Sequence, residues 1–171
     1  MFTIRKAEHW DLHGIAVVQV DSNRTTYAGI MPDEYLNQLS YKEKEDNWKG
    51  RLFVNHDELM YVAECPEHGI VGFVAASRIR RDDFYEGEVT AIYILQDFQG
   101  YGIGRSLIKA VASEYISENV RSMILWTLEE NPARHFYEHL GGKRLDRRIV
   151  DRGGKRLIQV SYGWEDIRNL C

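Results

Sequence analysis

The sequence predicts a single mixed α/β domain, and three observations carry that prediction. A length of 171 residues fits one domain and hardly two. A 44% share of hydrophobic residues beside 28% charged residues permits a sizeable core and argues against wholesale disorder. Short apolar runs rich in β-branched and aromatic residues alternate with segments of helical period, and no repeat, Ser/Gly linker or long charge block divides them. Residues 1–171 are therefore read as one domain.

Residues 3–5 read as a short strand, and 11–19 as a helix with Leu12, Ile15, Ala16 and Val18 as its apolar positions. Residues 21–30 look irregular. Pro32 suits a first helical turn, and a helical pattern runs over 33–49. Residues 51–55, 59–64 and 70–77 read as strands, the last two joined by a Pro- and Gly-containing hairpin loop, CPEHG. Residues 88–95, EVTAIYIL, carry the strongest strand signal. A glycine-rich loop follows, then an amphipathic helix to about residue 119, with Ile103, Leu107, Val111 and Tyr115 four apart and Ile108, Ala112 and Ile116 widening the stripe. Residues 122–128 form a buried strand. A helix is expected over 132–140, with Asn131 as N-cap and Gly141-Gly142 as stop. Residues 149–150 and 157–164 flank DRGG, a hairpin signal. The predicted order is β-α-α-β-β-β-β-α-β-α-β-β.

Composition narrows the function. With 22 Lys and Arg against 26 Asp and Glu, a net charge of −4 weakens the case for a general nucleic-acid binder. Two cysteines, Cys65 and Cys171, support neither a disulfide framework nor a Cys-based zinc site. The opening MFTIRKAEHW lacks the apolar run of a signal peptide, and no stretch of 18 apolar residues occurs. A reducing cytoplasmic location without membrane association is expected, leaving the Asn23-Arg24-Thr25 sequon unglycosylated.

The chemistry starts at residues 99–105, QGYGIGR, between a strand and a helix. Gly100, Gly102 and Gly104 let a ligand approach the backbone, and amides at the helix start together with the helix dipole suit a phosphate. A tight turn with no ligand is the competing explanation. Two nucleotide motifs fail on spacing: a dinucleotide fingerprint needs glycine at 105 or 107, where Arg105 and Leu107 stand, and a Walker loop needs Lys where Arg105 stands.

The strand 88–95 followed by Gln99-x-x-Gly102-x-Gly104 resembles the acetyl-CoA-binding signature of the GNAT superfamily of N-acetyltransferases, as small bacterial members carry it. Residues 131–141, NPARHFYEHLG, resemble the superfamily's later N-x-x-A-x-x-F-Y-E-x-x-G element at its usual distance, so the likeness spans nearly the whole chain. It implies a central, mostly antiparallel twisted sheet of about six to seven strands, flanked by helices and splayed at the acetyl-CoA site. Acetyl-CoA would be the co-substrate, with no metal. Amides of Tyr101, Gly102, Ile103, Gly104 and Arg105, with Gln99 and Gly100 in the same loop, would hold the pyrophosphate. Backbone groups of Ile92, Tyr93 and Ile94 would pair with the pantetheine arm, and Asn131 would contact that arm, a role compatible with capping. Tyr137 matches the tyrosine that protonates the leaving sulfur, helped if the site strengthens its acidity. Glu88 is the base candidate: alternation puts Glu88, Thr90, Ile92 and Ile94 on one face, and burial or a water chain would have to help a weak carboxylate base. A solvated strand-end carboxylate competes with that role. One departure from the family is Gly142, where a Phe is common.

The implied activity is transfer of an acetyl group to a primary amine of a small molecule or a peptide N-terminus in a ternary complex. The alternative is a non-catalytic acyl-CoA-binding or regulatory module of the same fold, and pairing of two copies through the C-terminal strands is left open. Acceptor contacts are sought at Arg24, Thr25, Tyr27, Tyr35 and Trp126. Rival signals are weaker. His135-x-x-Glu138-His139 imitates a zinc-protease motif but lacks an evident third ligand, His9 and His13 read as surface residues, and the basic stretch 143–156 reads as a solvated hairpin rim without the aromatic stacking of a nucleic-acid binder.

Overall fold

A computed structural model of the chain describes residues 1–79 and 84–171. Seven strands make one open mixed sheet: β1 (Thr3–Lys6), β2 (Leu59–Cys65), β3 (Gly69–Arg78), β4 (Gly87–Ile94), β5 (Met123–Leu128), β6 (Lys143–Arg152) and β7 (Lys155–Trp164). Their spatial order is β1-β2-β3-β4-β5-β7-β6. Only β4 and β5 run parallel, because α4 (Ile103–Ser117) crosses over between them. The other helices are α1 (Leu12–Thr26), α2 (Asp33–Asn37), α3 (Tyr41–Lys49) and α5 (Arg134–His139). The apolar stripe of α4, including Leu107, Val111 and Tyr115, packs against Val74, Ala76 and Val89 on one face of the sheet. On the other face Ile15 and Val18 of α1 and Trp48 of α3 pack against Val62, Phe73 and Ala75. Among the described residues no helix is long and apolar enough to cross a membrane.

The sheet divides between β4 and β5. Their ladder covers only Gly87 to Val89, opposite Met123 to Leu125. Beyond it Trp126 to Leu128 pair with β7 alone, while β4 runs on to Ile94 paired only with β3. The change of direction coincides with a β-bulge: Ala76 faces Val89 and Ala75 faces Ala91, leaving Thr90 as the extra residue. Such an insertion bends a strand and increases its twist. It also resets the alternation. Val89, Ile92 and Ile94 pack on the α4 face, whereas Ala91 and Tyr93 pack on the α1 face, so Glu88 does not share a face with Ile92 and Ile94.

Four elements differ from the sequence prediction. Residues 51–55 are not a strand: Gly50–Val54 continue α3 as a π-helical turn, closed by Asn55 N–H on Gly50 O at 2.8 Å. Leu52 is buried in the same cluster as Trp48, and the Arg51 guanidinium stacks 4.0 Å from the Trp48 ring, so the apolar run prolongs a helical face. Residues 21–26 are helical. Ser22 donates to the Val18 carbonyl and Thr25 to the Ser22 carbonyl at 3.1 Å, so their hydroxyls are satisfied within α1. The helix predicted over 33–49 is two helices, because Ser40 Oγ accepts from Glu43 N–H at 3.2 Å and caps a new start. The strand β6 spans ten residues rather than two, a charged edge strand whose polar composition hides its period.

At the end of α5, Gly141 adopts φ 86° and Gly142 N–H reaches back to Tyr137 O at 3.0 Å, the left-handed helix stop that the glycine pair predicts. A Cβ on Gly142 would lie 2.8 Å from Trp164 Cζ2. The Trp164 indole thus takes up space beside this position, and its Nε1 donates to Leu140 O at 3.0 Å.

Candidate active site

The glycine loop joins the end of β4 to α4. Gly100 and Gly102 hold φ 85° and 84°, a region that costs glycine nothing and other residues about 1–2 kcal/mol. The first α-helical bond of α4 runs from Ser106 N–H to Gly102 O at 3.1 Å, so the N–H groups of Ile103, Gly104 and Arg105 precede the intrahelical ladder and point out of the helix start. A Cβ on Gly104 would lie 3.2 Å from both Ile94 Cδ1 and Phe136 Cζ, so glycine lets the helix start press onto β4 and α5. Gln99 Nε2 donates to Ile94 O at 3.1 Å and pins the loop to the strand end.

A cavity of about 740 Å³ extends from this loop along the unpartnered end of β4 to α5. All of the sequence-predicted site residues line it except Tyr101, which is 71% exposed, and Glu88. A second cavity of about 290 Å³ opens between the helical segment 19–44, the splayed strands β4 and β5, and the β6–β7 hairpin. Tyr27, Ile92, Tyr93, Asn131 and Tyr137 line both, so the cavities meet at those five residues.

Tyr137 is 5% exposed, and no hydrogen bond to its hydroxyl is found among the described residues. Burial, reinforced by Tyr27 and Tyr93, pushes the phenol well above the usual tyrosine range. The sequence reading sought a strengthened acid. Desolvation does the reverse and keeps the phenol protonated. Burial likewise raises Tyr27, with Tyr93 adding to the rise and Asn131 opposing it. Asn131 is fully engaged as a donor: Nδ2 gives one hydrogen to Tyr27 Oη at 3.1 Å and one to Thr127 Oγ1 at 3.2 Å, while Oδ1 accepts from Ala133 N–H at 2.9 Å. The N-cap of α5 is Ala133, not Asn131 as the sequence predicts; Asn131 instead braces the turn before the helix and ties Tyr27 to it.

Glu88 lines neither cavity. It stands on β4 opposite Ser77 and Ile124, four residues and so roughly 13 Å of strand from Ile92. Sequence reasoning missed a second carboxylate near this strand. Thr90 lines the smaller cavity and donates to Glu58 Oε2 at 2.5 Å; Glu58, its side chain 7% exposed, is also paired with Arg51. The misassigned strand at 51–55 concealed that network. Of the sequence-predicted acceptor contacts, Tyr27, Tyr35 and Trp126 line the smaller cavity and Thr25 the larger. Arg24 lines neither, since its guanidinium donates to Leu36 O and Leu39 O, both at 3.1 Å, and ties α1 to α2. His135 and His139 are exposed on α5, and among the described residues no group of His, Cys, Asp and Glu is arranged to hold a metal.

The donor set suits a polyanionic, amide-bearing co-substrate: unpaired N–H groups and Arg105 at one end of the larger cavity, and an unpartnered strand edge along it.

Comparison with known proteins agrees with this geometry. The acetyltransferase (GNAT) domain family matches residues 56–141. An uncharacterized N-acetyltransferase of Bacillus subtilis, YuaI, is 38% identical over 171 residues, covering 99% of this chain and 96% of that protein. Among solved structures, the PaiA N-acetyltransferase of Thermoplasma acidophilum, in complex with coenzyme A, superposes with a TM-score of 0.70 at 23% identity, covering 96% of this chain and 99% of that one. YncA of Salmonella typhimurium, a putative acetyltransferase with its cofactor acetyl-CoA, superposes with a TM-score of 0.67 at 19% identity, over 95% and 92%. With a family match over half its length and a full-length relative at this identity, the chain belongs to the GNAT family of acetyltransferases.

Proposed function

We propose that the protein transfers the acetyl group of acetyl-CoA to a primary amine of a small molecule or a peptide N-terminus by direct attack in a ternary complex. The observation that carries this reading is the meeting of two cavities at Tyr137: one begins at the helix-start amides, the other ends among polar side chains of α1, α3 and the hairpin. Acetyl-CoA would supply an activated thioester, so that a C–N bond forms as the C–S bond breaks, one proton leaving nitrogen and one reaching sulfur. The amides of Ile103, Gly104 and Arg105 would hold its pyrophosphate, with Gly102 setting their direction and Gln99, Gly100 and Tyr101 completing the loop. Backbone groups of Ile92, Tyr93 and Ile94 would hold the pantetheine arm, and Asn131 stiffens the wall facing it.

Tyr137 serves as a neutral donor. A phenol raised by burial does not ionise at working pH, so its O–H remains available to hydrogen-bond to, and protonate, developing negative charge on sulfur. Among the described residues no Asp, Glu or His lines the smaller cavity. Proton removal from the amine therefore runs through water, and Glu88 at the base of the splay is the proposed terminus of that path.

The test is free-thiol release from acetyl-CoA across an amine panel, with binding of acetyl-CoA followed separately by calorimetry. Tyr137→Phe should lower kcat about 10²- to 10⁴-fold, the range for a lost general acid, while acetyl-CoA still binds. Unchanged turnover in that variant removes the acid role. An absence of acetyl-CoA binding to the unaltered protein removes the function.

A further inference from the structure

The smaller cavity is rich in hydrogen-bond donors and, among the described residues, carries no carboxylate. Its titratable lining consists of Lys44, Arg152 and four tyrosines, in a chain where Asp and Glu outnumber Lys and Arg by 26 to 22. Lys44 and Arg152 are both half-buried, and neither is paired with a carboxylate among the described residues. Among the described residues Arg152 Nη1 donates only to the neighbouring Asp151 carbonyl, at 2.9 Å. Two amides in the lining are oriented by obligate donors. Gln19 Oε1 accepts from Trp48 Nε1 at 2.7 Å, and Gln159 Oε1 accepts from Arg148 Nε at 2.7 Å. An indole N–H and a guanidinium N–H can only donate, so each glutamine turns its oxygen to its donor, and among the described residues neither NH₂ has a hydrogen-bond partner.

Arg152 is held in place over the cavity. It ends β6, and the turn beyond it abuts α2: a Cβ on Gly153 would lie 2.7 Å from Tyr35 Cβ. Lys155 Nζ donates to Ile30 O at 2.7 Å and ties the hairpin to the segment after α1. The positive charge of Arg152 acts on the phenols of Tyr27 and Tyr93, opposing the rise that burial imposes on both. Glu58, the carboxylate bonded to Thr90 behind the wall, is matched by Arg51 and adds little net charge.

We infer that the acceptor is a small amine that also carries an oxyanion, such as the carboxylate of an amino acid, with the anion held by Arg152, Lys44 and the Gln19 and Gln159 amides and the amino group directed toward Tyr137. This inference rests on the acetyl transfer proposed above and names its substrate class. Two half-buried cations with donor amides stabilise an anion and repel a polycation, so a polyamine is disfavoured on charge alone.

The experiment compares amino acids with their carboxamides, the corresponding decarboxylated amines, aminophosphonates and spermidine. Thiol release is measured on each, and calorimetry follows binding of each to the CoA-saturated protein. Acidic amines should exceed their decarboxylated counterparts by roughly tenfold or more in kcat/KM, the span of one charge-assisted hydrogen bond. Arg152→Gln should raise KM for the acidic amines about ten- to a hundredfold, with kcat largely retained, and bring the discrimination ratio toward one. Carboxylates against phosphonates identify the oxyanion. Equal or better use of neutral amines or spermidine overturns the inference, as does an Arg152→Gln effect equal on charged and neutral acceptors. Binding of acetyl-CoA with neither binding nor turnover of any acidic amine overturns it while leaving the acetyl-CoA site intact. Loss of acetyl-CoA binding in the unaltered protein fails the functional proposal itself.

Discussion

Asn131 resembles a family cofactor contact and is at the same time a structural tie, and its replacement separates the two. Asn131→Ala removes the bonds to Tyr27 Oη, Thr127 Oγ1 and Ala133 N–H at a site 8% exposed. At about 0.5–1.5 kcal/mol net for each hydrogen bond, three of them amount to roughly 2–4 kcal/mol. A domain of this size loses about 2–4 °C in Tm per kcal/mol, so a fall of roughly 5–15 °C is expected in a thermal denaturation followed by circular dichroism. Asn131→Ser should recover part of the fall, because its hydroxyl can still accept from a backbone N–H near the start of α5. The same proteins are titrated with CoA. A role confined to orienting Tyr27 predicts a loss of affinity smaller than the loss of acceptor turnover, since Tyr27 lines both cavities and the Asn131 donors are already spent. A Tm change below about 2 °C would refute the bond-by-bond reasoning, and an unchanged Tm with a large loss of CoA affinity would assign the residue to ligand contact instead.

Three further outcomes follow from the geometry. Gly102→Ala meets nothing within 4 Å of the new Cβ, so its effect is conformational: about 1–2 kcal/mol from φ 84°, read as lower stability, weaker CoA affinity by calorimetry, or both in that total. Glu88→Gln should lower kcat/KM at about pH 7 and much less at about pH 9, where more of the amine is already neutral; a loss independent of pH removes the proton-exit role. Burial by itself would raise Asp11, but hydrogen bonds from Arg5 (2.8 and 2.9 Å) and Glu8 N–H (2.8 Å) prevail and hold it below its ordinary value. Its contribution is thus present above the unfolded pKa of about 3.9 and lost as pH falls through the lower folded value. Denaturant titrations should show Asp11→Asn less stable than the unaltered protein at neutral pH, with the difference shrinking in acid.

What the sequence revealed and what it concealed divide along physical lines. The α4 stripe, the glycine loop before it and the Gly141 stop are local: each is set by a period of 3.6 or by glycine's conformational freedom, and each stands where the pattern puts it. Residues 51–55 misled because four apolar and basic residues in a row carry no period of their own; only contact with Trp48 shows that they prolong a helix. Most of β6 is hidden because an edge strand dominated by Lys, Arg and Asp buries too little to display a period of two. The smaller cavity is the hardest feature to foresee. Its wall joins Gln19 and Lys44 to Arg152 and Gln159, more than a hundred residues apart, and the meaning of each side chain depends on which of its atoms another residue has already engaged.

The bulge at Thr90 connects these observations. EVTAIYIL reads as one unbroken strand whose last five residues are all apolar, so nothing in its composition marks an extra residue, yet one inserted position has three consequences. It turns β4 away from β5 after Val89 and frees the strand edge beside which a pantetheine arm would lie. It moves Glu88 off the face of Ile92 and Ile94, which is why a base inferred from alternation stands outside both cavities. It also brings Thr90 to the wall of the smaller cavity with its hydroxyl on Glu58, itself matched by Arg51. A bulge inside a sheet leaves backbone groups out of the ladder, and it persists where surrounding contacts favour it. Here the Thr90–Glu58 bond is such a contact: it anchors the extra residue from behind, and so the same buried carboxylate that holds the splay open is kept, by Arg51, from adding negative charge to a wall otherwise built of donors.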